Sequence, residues 1–136
     1  MILDASVAIK LFLPESGTDR AHQIVKESSF LAAPDIIVYE VINAFVRHLR
    51  MGNLSKEIVK QLCKKWEKLI VNGNIYLAST REDLWEARDL SIRFRHPMQD
   101  CLYLKAAQRL LLPVATADQK MAEYAKSLNL PVIFIK

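Results

Sequence analysis

Short apolar runs alternate with stretches of helical period along the whole of this 136-residue chain. Strands buried on both faces read as continuous apolar runs, and such strands separated by helices build a mostly parallel sheet covered by helices. The runs are Met1 to Leu3, Phe30 to Ala33, Ile75 to Ala78, Val114 to Thr116 and Pro131 to Ile135. Helical spacing predicts Ala5 to Phe12, Thr18 to Glu27, a long helix opened by Pro34-Asp35 and running to about Met51, and a helix from Ser55 to about Val71. It then predicts Thr80 to about Phe94, Met98 to Leu112, and Asp118 to about Leu128. Breakers fall where elements must stop: Pro14, Gly52-Asn53, Asn72-Gly73-Asn74, His96-Pro97 and Pro113. Ser55 and Thr80 stand at N-cap positions, and Asp83 stands three residues after Thr80 as in a capping box. There is no repeat and no linker, so residues 1–136 are expected to form a single α/β domain.

Composition narrows the class further. Hydrophobic residues make up 51% and charged residues 25%, which is ordinary globular usage and argues against disorder. No apolar run approaches the roughly 20 residues of a membrane span. Asp4 interrupts the opening apolar segment, so no secretory signal is expected and the cytoplasm is the expected location. Cys63 and Cys101 have neither metal-ligand spacing nor a CxxC pattern and are read as reduced, buried side chains. His22, His48 and His96 are scattered, and a histidine-based metal site is not expected. The net charge of +4 permits a polyanionic partner without requiring one.

The helix from Met98 is apolar nearly all round and is predicted to be buried. In the helix after Asp35, Val38, Val41, Ile42, Phe45, Val46 and Leu49 are predicted to face the core. Glu40, Asn43 and Arg47 share a separate polar stripe. Trp66, Trp85, Phe45 and Phe94 are read as packing residues rather than base-stacking platforms.

Four of the 15 acidic residues stand in unusual places. Asp4 follows the first strand and Asp118 the fourth, so in a parallel sheet both lie at the edge where ligands bind. Asp100 opens the most buried helix, and Glu40 lies one turn inside an amphipathic one. Taken singly, each aspartate is more readily a helix cap than a ligand, and Glu40 serves equally in a solvated stripe with Arg47. Taken together, converging carboxylates repel and raise one another's pKa, and a divalent cation relieves that cost. Oxygen ligation without His or Cys fits Mg²⁺ or Mn²⁺ rather than Zn²⁺.

These residues resemble a known family. Ile2-Leu3-Asp4-Ala5-Ser6-Val7-Ala8, with Pro14-Glu15 following, resembles the opening motif of PIN domains of the VapC type. Tyr39-Glu40-Val41-Ile42-Asn43-Ala44-Phe45 is similar to their second acidic motif. Asp100-Cys101-Leu102-Tyr103-Leu104-Lys105-Ala106-Ala107 is similar to the third, and Thr116-Ala117-Asp118-Gln119-Lys120-Met121 to the fourth. Order and spacing match across essentially the whole chain. Gln99 stands where the family commonly has Tyr, Cys101 replaces a small residue, and no acid follows Asp118 before Glu123. The missing acid bears on a second metal rather than on the first.

The resemblance implies a PIN-like three-layer α/β/α fold and a Mg²⁺-dependent endoribonuclease, with Mn²⁺ as a substitute. It implies the toxin of a type II toxin–antitoxin pair, a homodimer inhibited by a small antitoxin. Carried over by motif, Asp4, Glu40, Asp100 and Asp118 are the metal-binding and catalytic acids. Ser6, Asn43 and Thr116 are the groups supporting them. RNA approaching an acidic pocket needs a basic rim, for which Arg93 and Arg95, with His96, lie next to the third motif in sequence. Lys56, Lys60, Lys64 and Lys68, with Arg47 and Arg50 just before them, form either a solvated surface face or a second basic surface for RNA. The readings set against this one are a catalytically silent PIN-like module binding RNA or protein, and a metal-dependent DNA nuclease. A phosphatase or NTPase lacks its nucleophile motif or glycine-rich loop here, and the motif order does not suit a response regulator.

Overall fold

The computed structural model describes all 136 residues. In chain order its elements are β1 (Ile2–Leu3), α1 (Ala5–Lys10), α2 (Thr18–Glu27), β2 (Ala32–Pro34), α3 (Ile37–Arg50) and α4 (Lys56–Val71). They continue as β3 (Tyr76–Ala78), α5 (Thr80–Phe94), α6 (Met98–Leu110), β4 (Val114–Thr116), α7 (Gln119–Ser127) and β5 (Val132–Phe134). The five strands form one sheet in the order β3-β2-β1-β4-β5, parallel throughout. Right-handed crossovers place α1 to α4 over one face and α5 to α7 over the other, giving three layers. No helix is long and apolar enough to cross a membrane.

The strand order reverses between β1 and β4. Ile2 pairs with Val114 and Leu3 with Ala115. The chain therefore leaves these two adjacent strands toward opposite faces and opens a crevice at their carboxyl ends. Asp4 comes directly after β1, and Asp118 two residues after β4.

The core is built where the apolar runs predict it. Ile2, Leu3, Val114 and Ala115 are fully buried, and α6 buries Cys101, Leu102, Tyr103, Leu104, Ala106 and Ala107 as it crosses β1, β2 and β4. On the other face Trp66 is fully buried and donates its indole N–H to the Val38 carbonyl at 3.2 Å. Phe12 meets Phe45 and Trp66 edge-on, with ring centroids 5.6 and 5.9 Å apart. Gly17 turns the chain into α2 at φ 85°, and a Cβ there would stand 2.8 Å from both Ile135 Cγ2 and the Lys136 carbonyl oxygen. Glycine satisfies both constraints at once.

Several local expectations are corrected. Ile42 and Val46 are exposed at 37% and 40%, because α3 turns its Ile37, Val41, Ala44 and Phe45 face into the core and leaves Val38 and Leu49 half-buried. Trp85 is likewise exposed, with the Arg88 guanidinium 5.6 Å from its ring centroid. Cys101 is buried but Cys63 is only half-buried, and both are free thiols. The α5 cap is not Thr80. Ser79 precedes the helix without a capping bond, and the Thr80 N–H and hydroxyl both donate to Asp35 Oδ1 from the neighbouring strand end. Asp83 completes no capping box, since Arg109 of α6 grips it through Nε at 2.8 Å and Nη2 at 3.0 Å. A buried carboxylate takes a guanidinium partner when one is in reach. Ser55 does cap α4, accepting from the Ile58 N–H at 3.2 Å. Ser55→Ala is expected to lower stability by about 1 kcal/mol, read as a shift in the urea midpoint at unchanged m-value.

Candidate metal centre and active site

The crevice over β1 and β4 is a cleft of about 270 Å³. Asp4, Glu40, Asp100 and Asp118 all line it, brought there from the end of β1, from α3, from the first turn of α6 and from the turn after β4. Asn43 and Arg47 line it too, so the polar stripe of α3 borders the cleft while Asn43 and Arg47 stay exposed.

Asp4 is the best-held group. It is 5% exposed, and its Oδ2 accepts from Ser6 Oγ at 2.6 Å and from Thr116 Oγ1 at 2.7 Å. Those hydroxyls are themselves fixed. Ser6 Oγ accepts the Ala117 N–H at 3.0 Å, and Thr116 Oγ1 accepts the Asp118 N–H at 3.0 Å. One network thus ties the ends of β1 and β4 together and leaves Asp4 Oδ1 without a protein donor. Asp118 does cap α7, through Oδ1 and the Met121 N–H at 3.1 Å, while also lining the cleft. Capping and site roles are combined in one side chain. Asn43 reaches the cleft but makes no side-chain hydrogen bond to the acids.

Burial pushes the Asp4 carboxyl up from 3.8 to about 6, against the pull of the two hydroxyls and with the charges of Asp100 and Asp118 adding to the rise. Glu40 is raised by burial and by the charges of Asp4 and Asp100, with the Tyr103 hydrogen bond opposing. Asp100 is raised by burial and by Asp118, with His96 opposing. Three acids that each resist ionisation, as Asp4, Glu40 and Asp100 do, are unfavourable by themselves and favourable around a dication. The donor set of four carboxylates therefore fits an oxygen-liganded divalent cation.

Two site residues are not evident in the spacing of the acids. Tyr103 is fully buried and donates its hydroxyl to Glu40 Oε1 at 2.8 Å, holding the α3 acid against α6. Its signal is the i, i+3 relation to Asp100, which puts both on one face of α6. His96 departs from the reading of the three histidines as scattered away from any ligand cluster. Its Nε2 lies 2.7 Å from Asp100 Oδ2, and it forms a group with Asp100 and Asp118 whose ligand atoms all lie within 4.8 Å. Arg95, in the left-handed region at φ 51°, ends α5 and reverses the chain so that His96 packs inward. It is therefore not the surface contact for RNA that its place beside Arg93 and Arg95 suggests.

Of the basic residues, only Arg47 lines the cleft. Arg93 and Arg95 are exposed at the α5–α6 corner, with the Arg93 guanidinium 5.1 Å from the Phe94 ring centroid. Lys60 and Lys64 are exposed on α4, outside the cleft.

A three-layer parallel fold with acids gathered at its switch point defines a class of α/β domains built to hold cations or phosphates at one sheet edge. The PIN domain family model matches residues 1–127. The chain belongs to the PIN domain family. It is also similar to Ribonuclease VapC3 of Pyrobaculum aerophilum, at 26% identity over 132 residues covering 96% of this chain and 98% of the relative.

Proposed function

We propose that this chain is a metal-dependent endoribonuclease of the VapC type and the toxin of a type II toxin–antitoxin pair. In this reading residues 1–136 act as one PIN-like domain in the cytoplasm, as a homodimer held in check by a small antitoxin. The observation that carries it is the meeting of Asp4, Glu40, Asp100 and Asp118, from four separate segments, in one cleft. The PIN family membership and the name of the VapC3 relative support RNA as the substrate.

The four acids would hold Mg²⁺, or Mn²⁺ in its place. A divalent cation there supplies a Lewis acid that lowers the pKa of water and withdraws charge from a scissile phosphate. The chain's own groups prepare for it. Ser6 and Thr116 aim the Asp4 carboxylate, and Tyr103 aims that of Glu40. Burial holds the Asp4 and Glu40 carboxyls up, and a dication held there would favour their ionised forms. Asn43 offers a neutral amide at the cleft wall, and Arg47 a guanidinium suited to a phosphate oxygen pair. Arg93, Arg95, Lys60 and Lys64 extend the positive field that draws RNA toward an otherwise repelling pocket.

The test is cleavage of labelled RNAs and matched single-stranded DNAs with Mg²⁺, with Mn²⁺ or with EDTA. Cutting of RNA alone, abolished by EDTA, is the expected result. Cutting of DNA at equal rate would favour the DNA-nuclease reading. Metal binding without cutting of any of a broad RNA set would favour a silent binding module. For substrate contact, Arg47→Ala is expected to weaken RNA binding several-fold and to reduce the slope of log K against log salt by about 1. Unchanged affinity and slope would remove Arg47 from the RNA-binding surface.

A further inference from the structure

His96 is 9% exposed, and its Nε2 has no hydrogen-bond partner. Asp100 Oδ2 approaches to 2.7 Å but outside hydrogen-bond geometry. A buried polar atom without a directed hydrogen bond is open to a partner from outside the chain. The ring is not free to turn away. Tyr124 meets it edge-on with centroids 4.8 Å apart. Its backbone N–H donates to the Ser91 carbonyl at 3.2 Å, and its carbonyl accepts from Ser91 Oγ at 2.5 Å.

One ring nitrogen of His96 and one carboxylate oxygen each from Asp100 and Asp118 lie within 4.8 Å of one another. Ligands about 2.0–2.2 Å from one ion stand about 3–4.2 Å apart, so small side-chain adjustments close this trio on a cation. The ligand chemistry is mixed. Mg²⁺ is a hard ion that takes oxygen, whereas imidazole nitrogen favours transition-metal dications.

We propose that His96, Asp100 and Asp118 form a mixed nitrogen–oxygen site for a transition-metal dication, beside the all-oxygen ligands of Asp4 and Glu40. The proposal rests on reading the cleft as a metal centre. It supplies a ligand for a second ion on the side where the chain has no acid between Asp118 and Glu123. His96 on this view sets which cation the cleft accepts.

The experiment titrates the full chain with Mn²⁺ and follows bound ion by electron spin echo envelope modulation, which detects a coordinated imidazole ¹⁴N independently of any RNA cleavage. Modulation is expected in the native chain, unchanged in His22→Gln/His48→Gln and absent in His96→Gln. The same His96→Gln chain is expected to bind Mn²⁺ at this site about tenfold or more weakly, with Mg²⁺ affinity altered less than about twofold. If His96→Gln does not fold, ¹⁵N-histidine labelling of the native chain provides the readout, by replacing the ¹⁴N pattern. Bound Mn²⁺ without nitrogen modulation overturns the proposal and leaves the nuclease reading standing. So does modulation that disappears in the His22→Gln/His48→Gln chain, which marks an adventitious ion only. A chain that binds neither Mn²⁺ nor Mg²⁺ overturns both.

Discussion

Asp4→Asn is expected to abolish metal-dependent RNA cleavage, with kcat/KM at least about 10³-fold below the native chain, equivalent to about 4 kcal/mol of transition-state stabilisation. The substitution keeps the size of the side chain and an oxygen that accepts from Ser6 and Thr116, so the network across β1 and β4 survives. It removes only the charge, which is the property a cation needs. Asp100→Asn is expected to fall as far, since the Asp100 charge acts on Asp4 and its carboxylate also meets His96 at 2.7 Å. Circular dichroism and thermal melting of both variants, run beside the cleavage assay, separate loss of chemistry from loss of fold. Full activity in both variants would remove these acids from the mechanism.

In EDTA, the native chain is expected to lose stability as pH rises from about 4 to 7.5, opposite to ordinary acid denaturation over that range. Asp4 is held at about 6 against an ordinary 3.8 because burial penalises its charged form. A group raised on folding contributes fully below its unfolded value and loses that contribution as pH climbs through the folded one. For Asp4 alone the loss amounts to roughly 3 kcal/mol by pH 7.5, or about 10 °C in Tm for a chain of this size. Glu40 and Asp100 are shifted in the same direction and steepen the trend. Added Mg²⁺ or Mn²⁺ at pH 7.5 is expected to restore Tm by binding the ionised site. Asp4→Asn, which has no charge to bury, is expected to flatten the pH dependence in EDTA. A native chain whose metal-free stability is flat or rises between pH 4 and 7.5 would contradict the burial assigned to Asp4.

The two expectations draw on one design. On the proposed reading the acids are fixed by the fold before any ion binds, and the fold bears the electrostatic cost of gathering them. Ser6, Thr116 and Tyr103 spend hydrogen bonds on orienting carboxylates that would be more stable in water. Misplacing the hydroxyl of Thr116 would disturb Asp4 and the Asp118 backbone together, because Thr116 Oγ1 donates to one and accepts from the other.

Much of this architecture is legible in the order of the residues alone. Buried parallel strands leave continuous apolar runs, so the order of strands and helices is written in periodicity, and Pro113, Gly52 and Ser55 mark their ends through local backbone chemistry. The position of an acid one or two residues after a strand is equally local, which is why Asp4 and Asp118 stand out. Other features depend on what lies across the fold. Thr80 reads as a cap, yet it donates to Asp35 from a neighbouring strand end. Asp83 fits a capping box, yet it belongs to Arg109 on the next helix. Ile42 and Val46 carry the right period for the core, but the packing angle of α3 leaves them in water.

By itself, then, the sequence determined the alternation of strands and helices, the acids at strand ends and helix starts, and the polar stripe on α3, because each follows from the chemistry of a few consecutive residues. The tertiary structure alone decided that the reversal of strand order at β1 and β4 gathers four acids into one cleft. It also decided that the left-handed turn at Arg95 brings His96 to Asp100 and Asp118. Charge repulsion, burial and ligand geometry depend on distances between segments far apart in the chain, and those distances exist only once the sheet has formed.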